Sequence, residues 1–289
     1  MTADTEPDRI AAAALPPLDA AEAGKLRRAR IDRIARWALP AVVMIATIAG
    51  WQWYVDAYQV PHYILPDPTA WSQPSFDWPI LSGAVVNTLA ITLLALIVAT
   101  LGAGGLALLF SQSRLVEYSL FPIAVVLQVT PIVAVFPLIN IYVDNTTAKL
   151  LICAWIVAFF PILSNTTLGL NSADHNLRNL FQLYGASRWQ TLWHLRLPSA
   201  LPYFLGGLKI AGGLSLIGAI VAEFVAGTGG LGSGLAFKIL EASYRLNIPR
   251  MFAAIVLISL TGIVIFASLS ILSHLMLRRW HESAIKRDG

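Results

Sequence analysis

The chain has 289 residues, of which 57% are hydrophobic and only 12% are charged, and its mean hydropathy is +0.68. Water-soluble domains carry about twice this charged fraction, so a lipid bilayer must surround most of the apolar surface. The net charge of +4 does not indicate nucleic-acid binding, because the cations lie in short loops and tails rather than on one continuous face.

The first 36 residues form a polar, Ala-rich tail that we expect to be disordered and cytoplasmic. Segment 25–36 within it has two interpretations. It is either a basic amphipathic helix on the membrane surface or only the positively charged flank of the first span. Residues 37–82 are predicted to hold the first transmembrane helix and a loop on the outer, periplasmic side.

Six apolar segments are long enough to cross a bilayer as helices of about 20 residues. They are residues 37–55, 83–110, 118–143, 147–168, 204–225 and 251–277. The last five form a core transmembrane domain of residues 83–277, which a basic cytoplasmic tail at 278–289 follows. Pro131 and Pro137 interrupt the third span and Pro161 the fourth. These prolines predict either helices that line a path or kinks in a packed bundle.

The distribution of Lys and Arg predicts the orientation, because cytoplasmic segments of membrane proteins are enriched in these residues. With both termini in the cytoplasm, the inner segments carry 15 Lys and Arg residues and the outer segments carry four. The loop 226–250 departs from the rule, since it places three cations outside. The loop 171–202 is then cytoplasmic.

An amphipathic helix is predicted at the start of this cytoplasmic loop. Four apolar residues follow helical spacing on one face: Leu177, Leu180, Phe181 and Tyr184. Gly185 comes directly after them, at a position where helices often end in a left-handed residue.

A second short helix is predicted after the glycine. Ser187 and Gln190 have the spacing of a capping box, and the apolar face of this helix consists of Trp189, Leu192 and Trp193. Pro198 and Pro202 are predicted to end it. Two amphipathic helices joined by a glycine and held between membrane spans indicate a docking element.

The fifth span carries small residues at every fourth position, which allow close helix packing. They are Gly207, Ala211, Ser215 and Ala219, and Glu223 follows at the same spacing. Since a carboxylate in an apolar span is costly, Glu223 should face protein or water. It either lines or gates a solute route, or it is an interfacial helix end.

The sequence contains no recognisable catalytic, cofactor or metal site. It has no G-x-x-x-x-G-K-[ST] motif for nucleotide phosphates, and its histidines and its single cysteine, Cys153, do not have metal-ligand spacing. We therefore expect a passage through the membrane that depends on another subunit for energy.

Gly185, followed after nine residues by Leu195, Arg196, Leu197 and Pro198, resembles the cytoplasmic motif E-A-A-x-x-x-G-x9-I-x-L-P of permease subunits of bacterial ABC importers. Asn179, Leu180 and Phe181 stand in place of the motif's Glu-Ala-Ala. TPIVAVFPL (130–138), FFPILSNTTLGL (159–170) and VAEFVAGTGGLG (221–232) are similar to the nitrate/sulfonate/taurine group of these systems. The resemblance extends over residues 83–277.

The resemblance implies an all-α permease of the type I importer fold in the bacterial inner membrane. It also implies a permease homodimer, a separate cytoplasmic ABC ATPase and a periplasmic solute-binding protein. The solute would be a sulfonate-, taurine- or nitrate-like anion or a pyrimidine-type compound. The residues that would couple to the ATPase are Leu180, Phe181, Tyr184, Gly185, Ala186, Ser187, Trp189, Leu195, Leu197 and Pro198. Those that would line the translocation path are Thr130, Pro131, Asn140, Asn165 and Glu223.

An alternative from another class is a proton-coupled secondary transporter that uses Glu223. Such transporters often contain two repeated halves with matching interrupted helices, and this sequence shows no such repeat.

Overall fold

The computed structural model describes residues 20–68, 78–227 and 232–278. The chain divides into two units after Pro61. The described part of the first unit contains helix α1 (Ala20–Ala57), which runs from the basic segment 25–36 into the first span without a break. Segment 25–36 is part of this helix, whereas residues 1–19 and the tail from 279 onward lie outside the described residues.

The regular structure described in the second unit is entirely helical. Its helices are α2 (Trp78–Gln112), α3 (Arg114–Val129), α4 (Ile132–Tyr142), α5 (Thr146–Asn171), α6 (His175–Leu183), α7 (Arg188–Thr191), a π-helix (Leu192–Arg196), α8 (Leu197–Ala226), α9 (Leu235–Tyr244) and α10 (Ile248–Leu277).

Among the described residues, five helices are long and apolar enough to cross a membrane, and the bent pair α3–α4 makes a sixth possible span. This agrees with the six spans predicted from the sequence. The fifth span differs in extent, because α7, the π-helix and α8 form one helical segment of 39 residues from Arg188 to Ala226.

The third span is broken at Pro131, where α3 and α4 meet at an angle of 102°. Pro131 has no backbone N–H to continue the helix, and its ring forces Thr130 into an extended conformation with ψ 121°. The Thr130 hydroxyl donates to the Val126 carbonyl at 2.7 Å. Pro137 and Pro161 lie inside α4 and α5, which continue past them.

Helices α5 and α8 run antiparallel and pack closely because small residues line their contact. A Cβ atom on Gly207 would lie 2.8 Å from the Asn165 Cβ, and one on Gly218 would lie 2.9 Å from the Ala154 Cα. Both distances are too short for a side chain. The predicted ridge of small residues on α8 is therefore buried against neighbouring helices, as Ala211, Ser215 and Ala219 show with exposures of 0%.

Contacts within the second unit define two opposite ends. At one end, the Arg196 guanidinium donates from Nη1 to the Ser111 carbonyl at 2.7 Å, which joins the C-terminal end of α2 to the start of α8. At the other end, the Thr88 hydroxyl donates to Glu223 and joins the N-terminal part of α2 to the C-terminal end of α8. We call these the α6 end and the α9 end.

Candidate functional site

Helix α6 has a well-defined beginning and end. The Asp174 carboxylate accepts hydrogen bonds from the Asn176 and Leu177 amides at 2.7 and 3.2 Å and caps the N-terminus. At the C-terminus, Gly185 adopts the left-handed conformation with φ +69°. The Ala186 amide donates to the Phe181 carbonyl at 2.9 Å, which completes a Schellman-type ending. The left-handed glycine predicted from the sequence is thus confirmed.

The predicted capping box at the start of α7 is also confirmed. The Ser187 amide donates to Gln190 Oε1 at 2.7 Å, and the Gln190 amide donates to Ser187 Oγ at 3.2 Å. The turn around Gly185 is therefore held by hydrogen bonds on both of its sides.

The predicted end of the second helix at Pro198 and Pro202 is wrong. In the π-helix the Leu197 amide donates to the Leu192 carbonyl, five residues back, and the chain continues into α8. Pro198, which has no N–H to donate, directly follows this π-turn inside the continuous helical segment from Arg188 to Ala226. A wider π-turn thus absorbs the proline that was expected to stop the helix.

Five of the predicted coupling residues line one groove of about 500 Å³ at the α6 end. They are Leu180, Phe181, Tyr184, Gly185 and Ala186, and Gln190 and His194 complete the walls. Tyr184 is 84% exposed, so its ring is available to a partner.

The other predicted coupling residues lie elsewhere. Ser187 forms the helix cap, and Leu195, Leu197 and Pro198 are buried or half-buried in the spanning helix. The apolar face predicted for α7 is divided, because Leu192 is 2% exposed whereas Trp189 and Trp193 are 65% and 64% exposed.

Glu223 is 4% exposed and connects three helices at the α9 end. The Thr88 hydroxyl donates to Glu223 Oε1 at 2.9 Å, and the Ala236 amide donates to Oε2 at 2.9 Å. The Leu235 amide donates to the Thr88 hydroxyl at 2.9 Å. A Cβ atom on Gly234 would collide with the Glu223 carboxylate. The expectation that Glu223 faces protein is confirmed, and the carboxylate fixes the start of α9 against α2 and α8.

A cavity of about 320 Å³ lies beside this carboxylate. Its polar lining consists of Asn87, Thr146, Thr147, Glu223 and Ser233. Asn87 donates to the Ser233 carbonyl at 3.3 Å, so residues 232–234, directly before α9, form one side of the cavity.

The structure does not bring the predicted path residues together. Thr130 and Pro131 lie at the α3–α4 bend, Asn140 accepts from Lys149 Nζ at 2.7 Å, and Asn165 donates to the Pro161 carbonyl at 2.8 Å. Among these predicted residues, Glu223 alone lines the cavity described above.

Sequence reasoning missed one residue of these sites and one charged residue elsewhere in a span. Thr88 gave no signal, because its role depends on contacts with residues more than 130 positions away. Lys209 lies inside α8, and its charge within an apolar span was a usable signal.

Comparison with protein families identifies the chain. The model of the family described as "Binding-protein-dependent transport system inner membrane component" matches residues 91–278. The chain belongs to this family. It is thus a multi-pass membrane transport component, and the family predicted from the α6–α7 motif is confirmed.

Three curated relatives are permeases of transport systems. The riboflavin transport system permease protein of Chloroflexus aurantiacus is 32% identical over 88% of this chain and 96% of its own length. The formylaminopyrimidine transport permease protein of Halalkalibacterium halodurans is 30% identical over 78% and 90%. The taurine transport system permease protein of Escherichia coli is 27% identical over 82% and 76%. The proton-coupled alternative finds no support among these relatives.

A solved structure described as an amino acid ABC transporter with histidines shares the fold. It has a TM-score of 0.57 at 18% sequence identity, over 70% of this chain and 94% of its own chain. The predicted all-α fold of ABC importer permeases is therefore confirmed.

Proposed function

We propose that this permease forms the solute path of an ATP-driven importer and transmits force from a separate ABC ATPase through α6 and α7. The observation that carries this proposal is the groove of Leu180, Phe181, Tyr184, Gly185 and Ala186 on the exposed α6. An exposed apolar groove indicates a site of protein contact.

The connection between this groove and the membrane suits force transmission. The Schellman ending of α6 and the capping box of α7 restrain the turn at Gly185. Helix α7 then continues through the π-helix into α8 without a loop. A displacement of α6 by a partner would therefore move the spanning helix directly.

The proposed orientation places the α6 end in the cytoplasm, where an ATPase binds its nucleotide. This end carries Arg114, Arg178, Arg188 and Arg196, and the distribution of Lys and Arg over the whole sequence favours it as the cytoplasmic side. The α9 end, with its cavity beside Glu223, would face the periplasm and receive solute from a binding protein.

Two copies of the chain would enclose the path between them and alternate between inward-facing and outward-facing states. The relatives named for taurine, riboflavin and formylaminopyrimidine transport support a small polar solute. We include sulfonate- or nitrate-like anions and pyrimidine-type compounds in this class. The residues proposed to line the path are Glu223, Thr130, Pro131, Asn140 and Asn165.

The groove offers a sharp test because α6 provides a matched pair of residues. Tyr184 and Leu183 are neighbours with the same exposure of 84%, but only Tyr184 is part of the groove wall. Co-purification of a co-expressed ATPase subunit with full-length permease should fall at least about tenfold for Tyr184→Ala, which corresponds to the loss of a large aromatic contact.

The control variant Leu183→Ala should recover the ATPase as the wild type does at the same membrane level. Equal recovery with both variants would contradict docking through the groove. ATP-dependent uptake in reconstituted vesicles should follow the same order.

A further inference from the structure

A second cavity at the α6 end is lined by four arginines. It has a volume of about 510 Å³ and lies between the α2–α3 connection and helices α6 and α7. The arginines are Arg114, Arg178, Arg188 and Arg196, and the hydroxyls of Ser111, Ser113 and Thr191 and the amides of Gln112 and Gln182 lie on the same wall. No acidic residue is among the described residues of its lining.

These arginines are not neutralised by any carboxylate in the described parts of the chain. In the described parts of the chain, the ion pairs formed are Lys238–Glu241 and Arg245–Glu241, so none of the four arginines pairs with a described carboxylate. Arg196 uses Nη1 to donate to the Ser111 carbonyl, while its buried Nε has no partner among the described residues. Arg178 and Arg196 are close enough to repel each other. Unpaired like charges around one cavity favour an anion within it.

The first turn of α3 adds to this positive potential. Ser113, Arg114 and Leu115 belong to the cavity wall, and α3 begins at Arg114. The first amides of a helix lack partners within the helix and attract anions. Glu117, the acidic residue of that turn, is not among the lining residues.

We propose that this cavity binds a phosphate-bearing anion. Guanidinium groups form paired, charge-assisted hydrogen bonds with phosphate oxygens, and the Ser113 hydroxyl, whose oxygen accepts from the Val116 amide, can donate to a remaining oxygen. The anion would join the α2–α3 connection to α6 and α7. This site does not rest on the proposed coupling to an ATPase.

The position of the cavity favours the headgroup of an anionic phospholipid as the source. It lies where α2 ends and where the span from Arg188 begins. Trp189 and Trp193, both largely exposed, lie one turn apart on the helical segment that also contributes Arg188 and Thr191 to the cavity, and tryptophans concentrate at the membrane interface. Basic pockets between membrane helices at this depth bind lipid headgroups.

Helix α6 separates this cavity from the groove assigned to a protein partner. Arg178 and Gln182 face the cavity, whereas Leu180, Phe181 and Tyr184 face the groove. An acidic segment of a protein partner is therefore the less favoured occupant.

Native mass spectrometry of the full-length chain, released from an uncharged detergent, tests the proposal. The probes are dioleoyl phosphatidylglycerol, dioleoyl phosphatidylcholine and inorganic phosphate. The wild type should retain phosphatidylglycerol in preference to phosphatidylcholine. Removal of one charged hydrogen-bond partner weakens binding by about tenfold or more, so Arg178→Gln with Arg188→Gln should lose most of this retention.

Two controls separate binding from folding. Arg278→Gln removes one exposed cation outside the cavity and should retain the lipid. Arg178→Lys with Arg188→Lys keeps both charges and should restore part of the retention. Arg196 is left unchanged because it also holds Ser111. All variants should elute as the wild type does in size-exclusion chromatography.

The probes distinguish the two sources of phosphate. Arginine-dependent retention of phosphatidylglycerol that millimolar phosphate does not displace identifies a headgroup. Arginine-dependent binding of inorganic phosphate identifies a small anion and also supports the site. Equal phosphatidylglycerol retention by the wild type and the double glutamine variant would overturn the proposal. The absence of binding by both phosphatidylglycerol and inorganic phosphate would also overturn it. Protection of the arginines from phenylglyoxal only in a complex with the ATPase would then identify a protein segment as the occupant.

Discussion

Glu223 shows how one side chain can determine the local arrangement of three helices. Its two carboxylate oxygens accept from different elements, Thr88 on α2 and Ala236 at the start of α9. A buried carboxylate is costly unless hydrogen bonds compensate it, and here both oxygens have a donor. The residue therefore stabilises the α9 end whether or not solute passes beside it.

Replacement of Glu223 by Gln tests this role. An amide keeps one accepting oxygen for the Ala236 amide, but its N–H₂ group can only donate to Thr88 Oγ, so the hydrogen bond with Thr88 reverses its direction and the Thr88 hydroxyl loses its acceptor. We expect the free energy of unfolding in detergent to fall by about 1–3 kcal/mol, with the amount of protein in the membrane near normal and uptake more strongly impaired.

Thr88→Val removes the same hydrogen bond from the other side and completes a double-mutant cycle. Because the two residues are in direct contact, the double variant should be less destabilised than the sum of the single variants. Additive effects would mean that this hydrogen bond contributes nothing.

At the scale of elements, the joint between α6 and α7 is the feature with most consequence for function. It consists of the left-handed Gly185 between a Schellman ending and a capping box. Among the described residues, no atom other than those of the two adjacent residues lies within 4 Å of a Cβ built on Gly185. Any cost of a side chain at this position therefore comes from the backbone and not from a steric clash with neighbours.

Gly185→Val should disturb the joint without affecting insertion. A left-handed backbone costs a residue with a side chain roughly 1–2 kcal/mol, and a β-branched residue is particularly unfavourable there. We expect a normal membrane level and topology, weaker co-purification of the ATPase and loss of uptake. Gly185→Asn is the matched control, since Asn tolerates this conformation and should keep most of the binding. Normal ATPase recovery and uptake with Gly185→Val would show that the joint is not needed for coupling.

At the scale of the whole molecule, the antiparallel packing within the second unit brings the cations of two separate segments to the same end. Contacts from Ser111 to Arg196 and from Thr88 to Glu223 show that α2 and α8 run in opposite directions. Helices α8 and α10 also run in opposite directions. Leu216 lies next to Gly262 and Leu269 lies next to Gly212, close enough to contact a Cβ atom built on each glycine. The cation-rich segments around 111–115 and 171–196 therefore share one end.

Cysteine labelling in sealed cells tests which end faces the cytoplasm. On a Cys153→Ala background, Leu183→Cys should react only with a membrane-permeant reagent. Tyr63→Cys and Tyr244→Cys should react with an impermeant one, since both side chains are exposed, at 61% and 81%. Labelling of Leu183→Cys from outside would reverse the proposed orientation, and labelling of all three sites from one side would contradict the six-span topology.

The sequence by itself determined the features that depend on local spacing and on hydrophobicity. The apolar runs predicted six spans, because a bilayer requires about 20 apolar residues whatever their partners are. The left-handed Gly185 and the Ser187–Gln190 capping box were predicted because their hydrogen bonds join residues within one or two turns.

Only the tertiary structure decided the features that join distant segments. The continuation of the helix past Pro198 depends on a π-turn, which periodicity does not show. The partners of Glu223 and the cavity of four arginines bring together residues far apart in the chain. Such contacts arise when antiparallel helices bury their small residues against one another. The pattern of residues along a single helix does not predict which residues of other helices it will contact.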